Sequence, residues 1–327
     1  MSILRRTAAA AAVTSLAVVG WAVPASSVDN PSTTPTGYTT VLSEEGCELA
    51  VIDLATGELT DLPAGPSEEA CVDDLAISAA GVVYGIRPSP MNIDKSLAAV
   101  SPAELVTFSM NGTPTVTPIV DEGGDTGFLA EGGIAVSPSG TIYVHLVTDN
   151  PACDTGEEPP VDTTLLEPEY AGDSVCLFTV DPTTGVASII GTTGLYETEF
   201  LGLAWCGGLV TLAGAEGLIW ATESASDGSV ILGADSDVFP AGFDCDSATG
   251  GPLYGLATPD GGQIELGAVE VDVVTIDTAT GTATTVASVD PETDVWALAV
   301  VPVAAPTPTT TAPPAAQAAE LTPAFTG

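Results

Sequence analysis

The chain has 327 residues, and its 44 Asp and Glu far outnumber its four Lys and Arg, which gives a formal charge of −40 at pH 7. Such a surface repels nucleic-acid phosphates and anionic lipid headgroups, so both are excluded as partners, and cations, calcium above all, are the expected counter-charges. The acids also keep a protein hydrated and soluble, and this simpler role explains most of them.

The first 25 residues have the three parts of a secretory signal peptide. Arg5 and Arg6 form the basic start, Thr7–Val23 is apolar, and the small-residue site VPA ends at Ala25. A membrane anchor is the alternative, but an apolar stretch of about 17 residues is at the lower limit for a span. We expect cleavage, a linker at residues 26–35, and a mature chain of charge −42, because two basic residues remain against 44 acidic ones.

One phrase occurs three times, as LAVIDLATGELTDL, LFTVDPTTGVASII and VVTIDTATGTATTV. In each copy, β-rich runs flank an Asp-x-x-x-Gly turn. The Asp can accept hydrogen bonds from backbone N–H groups two residues on, and the Gly can take the positive φ of a short hairpin loop. We therefore interpret these residues as hairpin turns rather than metal ligands: Asp53 with Gly57, Asp181 with Gly185, and Asp277 with Gly281. Degenerate hairpins lie at Val106–Val116 and Trp220–Leu232, where Ser109 and Ser224 replace the Asp.

A second phrase alternates with the first. LAISAAGVVYG (Leu75–Gly85) matches IAVSPSGTIYV (Ile134–Val144) without a gap, which places Tyr84 and Tyr143 at equivalent positions. Looser copies follow at Leu203–Ala213, Phe243–Gly255 and Leu298–Pro302. Repeats of this length with four strands each predict an all-β fold, a single β-propeller of five four-stranded blades over residues 36–302. Because the chain begins in mid-blade and ends with an inner strand, the last strand should complete the first blade and close the ring.

GIAVSPSGTIYV and TIDTATGTATTV resemble the blades of secreted bacterial propellers of the YVTN/WD40-like repeat type. The resemblance covers about residues 36–302. It implies the propeller architecture and does not specify a function, because such propellers serve as binders, scaffolds and enzymes.

The six cysteines lie in the expected mature chain, and an even number in an exported protein indicates disulfides. Sequence order suggests three local pairs: Cys47–Cys71, Cys153–Cys176 and Cys206–Cys245. The alternative is a zinc site, but no CxxC spacing occurs and the one histidine is distant in sequence from every cysteine. The second pair, Cys153–Cys176, would close an acidic insertion at residues 149–176 into a loop. This insertion is either a functional loop or one that the fold tolerates without a function.

Acidic residues precede the expected inner strands: Asp73, Asp74, Glu131, Glu197, Glu199 and Asp294. Equivalent entry loops of a propeller gather at one end of the central channel, where a ring of carboxylates could hold calcium. Such a centre would suit a hydrolase of the gluconolactonase type, in which the metal activates water. The simpler interpretation is a solvated acidic rim. FDCDSATGG resembles part of a calcium loop but lacks the remainder of the EF-hand pattern.

Nucleophilic catalysis has little support in the sequence. His145 is the only histidine, and we expect it to be a satisfied strand residue rather than the base of a catalytic relay. Trp205, Trp220 and Trp296 could stack on sugars, but their places in or beside inner strands favour packing between blades.

Residues 303–327 are rich in Pro, Thr and Ala and are expected to form a disordered stalk. The final PAFTG resembles a sortase sorting signal without the hydrophobic segment and basic end that should follow. From the sequence we expect a secreted or wall-associated monomeric module without catalytic activity that binds an extracellular protein or glycan. The alternative is a calcium-dependent propeller hydrolase or lactonase.

Overall fold

The computed structural model of the chain describes residues 35–87, 103–124, 129–148, 153, 174–196, 200–213, 218–259, 270–291 and 293–302, all within the second of two compact units, residues 34–327. The expected signal peptide, most of the 149–176 insertion and the tail lie outside the described residues. In the described part the chain forms twenty β-strands and one 3-10 turn, Glu68–Ala70. No helix in that part is long and apolar enough to cross a membrane.

The strands form five antiparallel sheets of four strands each, which are the blades of a propeller. From the inner strand outward, blade 1 contains β20 (Asp294–Val300), β1 (Thr36–Ser43), β2 (Gly46–Asp53) and β3 (Leu59–Asp61). Blade 2 contains β4 (Asp74–Ile77), β5 (Val83–Arg87), β6 (Glu104–Phe108) and β7 (Pro114–Pro118). Blade 3 contains β8 (Leu129–Val136), β9 (Ile142–Thr148), β10 (Ser174–Val180) and β11 (Ala187–Tyr196). Blade 4 contains β12 (Phe200–Trp205), β13 (Leu209–Ala213), β14 (Ile219–Glu223) and β15 (Val230–Asp235). Blade 5 contains β16 (Pro240–Cys245), β17 (Leu253–Ala257), β18 (Asp272–Asp277) and β19 (Thr282–Ser288).

The inner strands β4, β8, β12, β16 and β20 each contact the next, and β20 contacts β4, so that they form a closed ring. The last strand, β20, pairs with the first, β1, which closes the propeller as the sequence predicts. The predicted class and the five blades are therefore confirmed, and each copy of the first phrase forms the outer hairpin of a blade.

The Asp-x-x-x-Gly turns have hydrogen bonds that explain why an Asp begins each copy of the turn and a Gly ends it. Oδ1 of Asp53 accepts the N–H groups of Ala55 and Thr56, at 2.8 and 3.2 Å, and its carbonyl accepts the N–H of Gly57. Gly57 has a φ of +75°, in the left-handed region that a side chain disfavours. Asp181 makes the same bonds, and Asp277 shares the Oδ1 bond to the residue two positions on and the carbonyl bond to the glycine; Gly185 and Gly281 have φ values of +73° and +74°.

The same glycines also pack against the neighbouring blade. A Cβ at Gly57, Gly185 or Gly281 would overlap the carbonyl oxygen of Ser288, Pro118 or Asp235, which belong to or directly follow the preceding blade. In addition, the carbonyl of Gly185 accepts the N–H of Val120 at 3.0 Å. Each turn therefore has two roles: it reverses the direction of the chain within its hairpin, and its close contact sets the distance to the neighbouring blade.

Hydrophobic residues form a separate core between each pair of adjacent blades, so the core is divided into five parts around the ring. Trp220 of blade 4 is buried and meets Phe243 of blade 5 edge to face, with 4.9 Å between ring centroids. Trp205 stacks on Tyr143 of blade 3 at 5.5 Å. Trp296 is half-buried against the core between blades 1 and 2. The three tryptophans thus pack between blades, as expected.

Four tyrosines occupy one register position on the second strands of different blades. Tyr84 pairs with Ala76 and Tyr143 with Ala135, which confirms that these two are equivalent. Tyr38 pairs with Ala299 of β20 at the same place in blade 1, and Tyr254 pairs with Asp244 at the same place in blade 5. The four side chains, all half-buried, pack against the cores that join successive blades: Tyr38, Tyr84, Tyr143 and Tyr254.

Candidate functional site

The buried carboxylate of Asp74 lies among the inner strands. Asp74 begins β4, and its Oδ2 accepts the N–H of Ile134 of blade 3 at 3.0 Å and the N–H of Leu203 of blade 4 at 3.2 Å. Its Oδ1 accepts the N–H of Leu75 at 2.9 Å. Blade 4 is not adjacent to blade 2, so one side chain connects three inner strands of the ring.

A second buried carboxylate, that of Asp244 in blade 5, links its own inner strand to that of blade 1. Its Oδ1 accepts the N–H of Cys245 and its Oδ2 accepts the N–H of Val300 of blade 1, both at 2.8 Å. Burial raises the pKa of both carboxyls well above the usual range, and the charge of Asp244 raises the pKa of Asp74 further, although the backbone N–H groups oppose this. These two acids therefore favour protonation more than surface acids do.

Asp73 directly precedes Asp74 and is less buried than it. Its backbone N–H donates to the carbonyl of Ile86 at 2.9 Å, and its side chain is half-buried. Burial raises the pKa of Asp73 to about 6. A partly buried carboxyl with a pKa of about 6 is ionised in part at physiological pH, as general acids and bases are.

The structure accounts for only part of the predicted carboxylate ring. Asp73 and Asp74 lie at the start of β4, and Asp294 lies at the start of β20, where it pairs with Leu42. Glu131 lies within β8, but its side chain, together with Glu197 and Glu199, falls outside the described residues. Among the side chains that are described, no group of three or more His, Cys, Asp or Glu is placed to hold a metal ion. A calcium site at the channel mouth remains a prediction.

The acids of FDCDSATGG have separate structural contacts. Asp244 bonds to the inner strands as described above, whereas Asp246 lies in the loop between β16 and β17 and closes a turn. Its Oδ1 accepts the N–H of Ala248 at 3.0 Å, and its Oδ2 accepts the hydroxyl of Thr249 at 2.7 Å. Its carbonyl also accepts the N–H of Gly250. This segment is thus one more hairpin turn of the Asp-x-x-x-Gly kind.

The only histidine of the chain is enclosed between blades 3 and 4. His145 Nε2 lies 2.8 Å from Oε2 of Glu223, and both side chains are fully buried. Glu223 was not anticipated from the sequence, because it lies 78 residues away in a degenerate hairpin. The arrangement is a buried His–carboxylate pair that joins two blades.

The described disulfides join the expected pairs, Cys47–Cys71, Cys153–Cys176 and Cys206–Cys245. The first links blade 1 to the chain that enters blade 2, and the third links the ends of the inner strands of blades 4 and 5. With Asp74, Asp244 and the His145–Glu223 pair, every interface between adjacent blades has at least one covalent or polar link. Three disulfides are typical of proteins in oxidising compartments.

A groove of about 420 Å³ opens at the interface between blades 1 and 5. The hairpin turn at Gly57 and Glu58 forms one side, and Ser288 and Asp290 form the other. Hydroxyls and carboxylates therefore dominate its lining.

Comparisons with known proteins found distant structural similarity only. No protein-family model matches the chain, and no curated protein sequence matches it. Several solved structures are similar to it at low sequence identity. TolB from Acinetobacter baumannii is 12% identical with a TM-score of 0.43, over 77% of this chain and 52% of that one. A putative TolB from Agrobacterium tumefaciens is 13% identical with a TM-score of 0.44, over 83% and 92%. A protein of unknown function from Dyadobacter fermentans is 11% identical with a TM-score of 0.40, over 73% and 71%. This chain thus spans about half the length of the Acinetobacter protein.

Proposed function

We propose that the protein is a secreted, acidic propeller of the YVTN/WD40-like repeat type that binds an extracellular protein or glycan without catalysing a reaction. The burial of His145 is the observation that carries this proposal. Its imidazole is fully buried and engaged with Glu223, so it has no contact with solvent through which a substrate could reach it. A binding module needs no such group, whereas acid–base and nucleophilic enzymes most often use a histidine.

The basic side chains support the same conclusion. Arg87 is held by Glu104 of the adjacent strand, with 3.3 Å between Nε and Oε2, and so is committed to an ion pair within blade 2. Catalysis of acyl or phosphoryl transfer requires donors or cations aimed at developing negative charge. The formal charge of −40 on the chain would repel the negative charge that develops in such a transition state.

The proposal is tested by two assays on the secreted chain, residues 26–327. A hydrolysis screen with lactones, esters and glycans, run with calcium and then with a chelator, should give no turnover above a heat-denatured control. Binding to immobilised cell-wall glycans and to extracellular proteins should be saturable and lost on denaturation. Reproducible turnover of any substrate would contradict the proposal.

The calcium-dependent hydrolase remains the second candidate, because Asp73 combines partial exposure with a pKa of about 6. In this candidate Asp73 is a ligand or a general base at the channel mouth. Chelator-sensitive turnover that is lost in Asp73→Asn and kept in Asp61→Asn, at an exposed position on the outer strand of blade 1, would identify Asp73 as the essential acid. Calorimetric titration with calcium, showing one site of micromolar affinity, would separate a specific site from diffuse screening of the surface acids.

A further inference from the structure

The outer edge of blade 4 differs from the other blade edges in what it exposes. β15 is the outermost strand of its sheet, and Ile231 and Leu232 are 71% and 55% exposed. Successive side chains of a strand point to opposite faces. Ile231 and Leu232 therefore project from opposite faces of the strand and remain uncovered, although the end of β15 at Asp235 packs against the turn at Gly281 of blade 5. A register shift between β14 and β15 beside Leu232 accompanies this exposure.

The edges of blades 1 and 2 carry the features by which proteins prevent strand addition. β3 has only three residues, and β7 begins and ends with proline, at Pro114 and Pro118. Short edge strands and prolines weaken the template that an unpaired strand offers. β15 has six residues, no proline and no basic residue, so its outer row of backbone N–H and C=O groups can accept another strand. The outer strands of blades 3 and 5 also lack proline and basic residues, but their Ile189 and Val286 are only 38% and 41% exposed, so β15 presents the larger aliphatic surface among the described side chains.

Acidic residues flank both ends of this edge. Asp227 precedes β15, and Asp235 and Asp237 lie at and beyond its end, all three exposed. Hydrogen bonds from the hydroxyls of Ser224 and Ser229 and from the backbone N–H of Ser229 lower the pKa of Asp227, so it stays ionised at neutral pH. The edge therefore combines an apolar centre with negative ends.

We propose that β15 is a docking edge for an extended segment of a cationic partner polypeptide, which adds to blade 4 as a fifth strand. The partner segment carries β-branched or aliphatic side chains opposite Ile231 and Leu232, and Lys or Arg at both ends. Six residues of strand span about 20 Å, which sets the separation of the two basic ends. Strand addition supplies backbone hydrogen bonds, and the side chains supply selectivity.

Charge favours this partner over a second copy of the chain. Antiparallel pairing of two β15 edges would bring Asp227 of one copy towards Asp235 and Asp237 of the other, whereas a basic segment would neutralise them. The formal charge of −40 also repels a second copy at longer range. The inference rests on the proposed binding function and names its partner class.

The probe is a fluorescein-labelled peptide, Lys-Lys-Val-Thr-Val-Thr-Val-Lys-Lys, whose binding to residues 26–327 is followed by fluorescence anisotropy at low salt. Two peptides of equal charge serve as comparisons: one with Ser and Gly in place of Val and Thr, and one with N-methylated valines that cannot donate hydrogen bonds. Both should bind at least about tenfold more weakly, because strand pairing needs β structure and free N–H groups.

On the protein side, Ile231→Thr/Leu232→Thr keeps β propensity and removes the aliphatic groups, and should weaken binding at least about tenfold. Val286→Thr, at a 41% exposed position on the outer strand of blade 5, is the matched control and should stay within about twofold of wild type. Asp227→Asn/Asp235→Asn should weaken binding and flatten its salt dependence. Hydrogen exchange should slow at residues 230–235 when the peptide is bound.

Several results would overturn the inference. Equal binding of the Ser/Gly peptide would show attraction by charge alone, and equal loss in Val286→Thr would show that β15 is not the site. A dimer in sedimentation velocity that dissociates in Ile231→Thr/Leu232→Thr would identify a second copy as the occupant. Absence of peptide binding would reject this edge and leave the broader binding function to its own assays, which use wall glycans and extracellular proteins.

Discussion

Replacement of Gly281 by alanine separates the two roles that the structure gives to the repeat glycine. Gly281 has a φ of +74°, and a Cβ there would overlap the carbonyl oxygen of Asp235 in blade 4. Gly81, in the turn between β4 and β5, has a nearly equal φ of +79° with nothing within 4 Å of the added Cβ. Gly81→Ala is therefore the matched control, which reports the backbone cost without the contact between blades.

The magnitudes follow from these two surroundings. An alanine in the left-handed region costs about 1–2 kcal/mol, and this cost is common to both variants. The overlap with Asp235 requires the blades to separate, which at a packed site costs about 1–3 kcal/mol more. The loss of unfolded-state freedom on replacing glycine affects both variants equally and cancels. We expect destabilisation by about 1–2 kcal/mol for Gly81→Ala and about 2–5 kcal/mol for Gly281→Ala.

Urea unfolding, followed by tryptophan fluorescence with the disulfides intact, measures the difference. With a urea dependence of about 2–3 kcal/mol/M, the extra cost of about 1–3 kcal/mol places the midpoint of Gly281→Ala about 0.3–1.5 M below that of Gly81→Ala. Circular dichroism should remain that of a β protein in both variants. Equal midpoints would refute the reasoning, because they would mean that the glycine is needed only for its φ.

Acidification from pH 7.5 to 5 should raise the melting temperature, because folded-state pKa values raised by burial at Asp73, Asp74 and Asp244 mean that folding takes up protons. For Asp73 this stability is fully present below its unfolded pKa near 4 and is lost as the pH rises through about 6, so a melting temperature that falls on acidification would contradict the assignment. Cys206→Ser/Cys245→Ser should lower the free energy of unfolding by about 4 kcal/mol, since the link closes a separation of 39 residues, and an unchanged urea midpoint would contradict this. Millimolar calcium or high sodium chloride should raise the melting temperature by screening the surface acids, and indifference to both would show that these charges are too dispersed to interact.

The sequence was sufficient for the features that depend on local chemistry. Asp53 and Gly57 can be interpreted as a turn because the bonds that they make lie within five residues. The three copies of that turn, the two degenerate hairpins and the alternating second phrase together predict five blades. The same holds for the closing strand, since its phrase at Leu298–Pro302 is half of a repeat whose other half begins the chain. The three disulfide pairs are also near neighbours in the order of cysteines.

Contacts between blades could not be predicted in the same way. The overlap between Gly281 and the backbone of Asp235 depends on how two blades approach each other, and no side chain marks it in the sequence. Glu223 lies in a degenerate hairpin, and only its position opposite His145 distinguishes it from the many surface acids. Asp74 was singled out as a possible metal ligand because of its place before an inner strand, but the proximity of Ile134 and Leu203 N–H groups arises only when the ring is closed.

The closure of the ring by β20 determines how a mechanical force would enter the protein. The chain beyond Pro302 continues directly from β20, so tension on the C-terminus acts first on the end of this strand. The bonds nearest to that end are the N–H of Val301 to the carbonyl of Thr36, at 2.9 Å, and the N–H of Val300 to Asp244. Because β20 pairs antiparallel with β1, tension would peel the strand from this end one bond at a time rather than shear all bonds together. The carboxylate of Asp244 therefore holds the ring at the point where peeling begins.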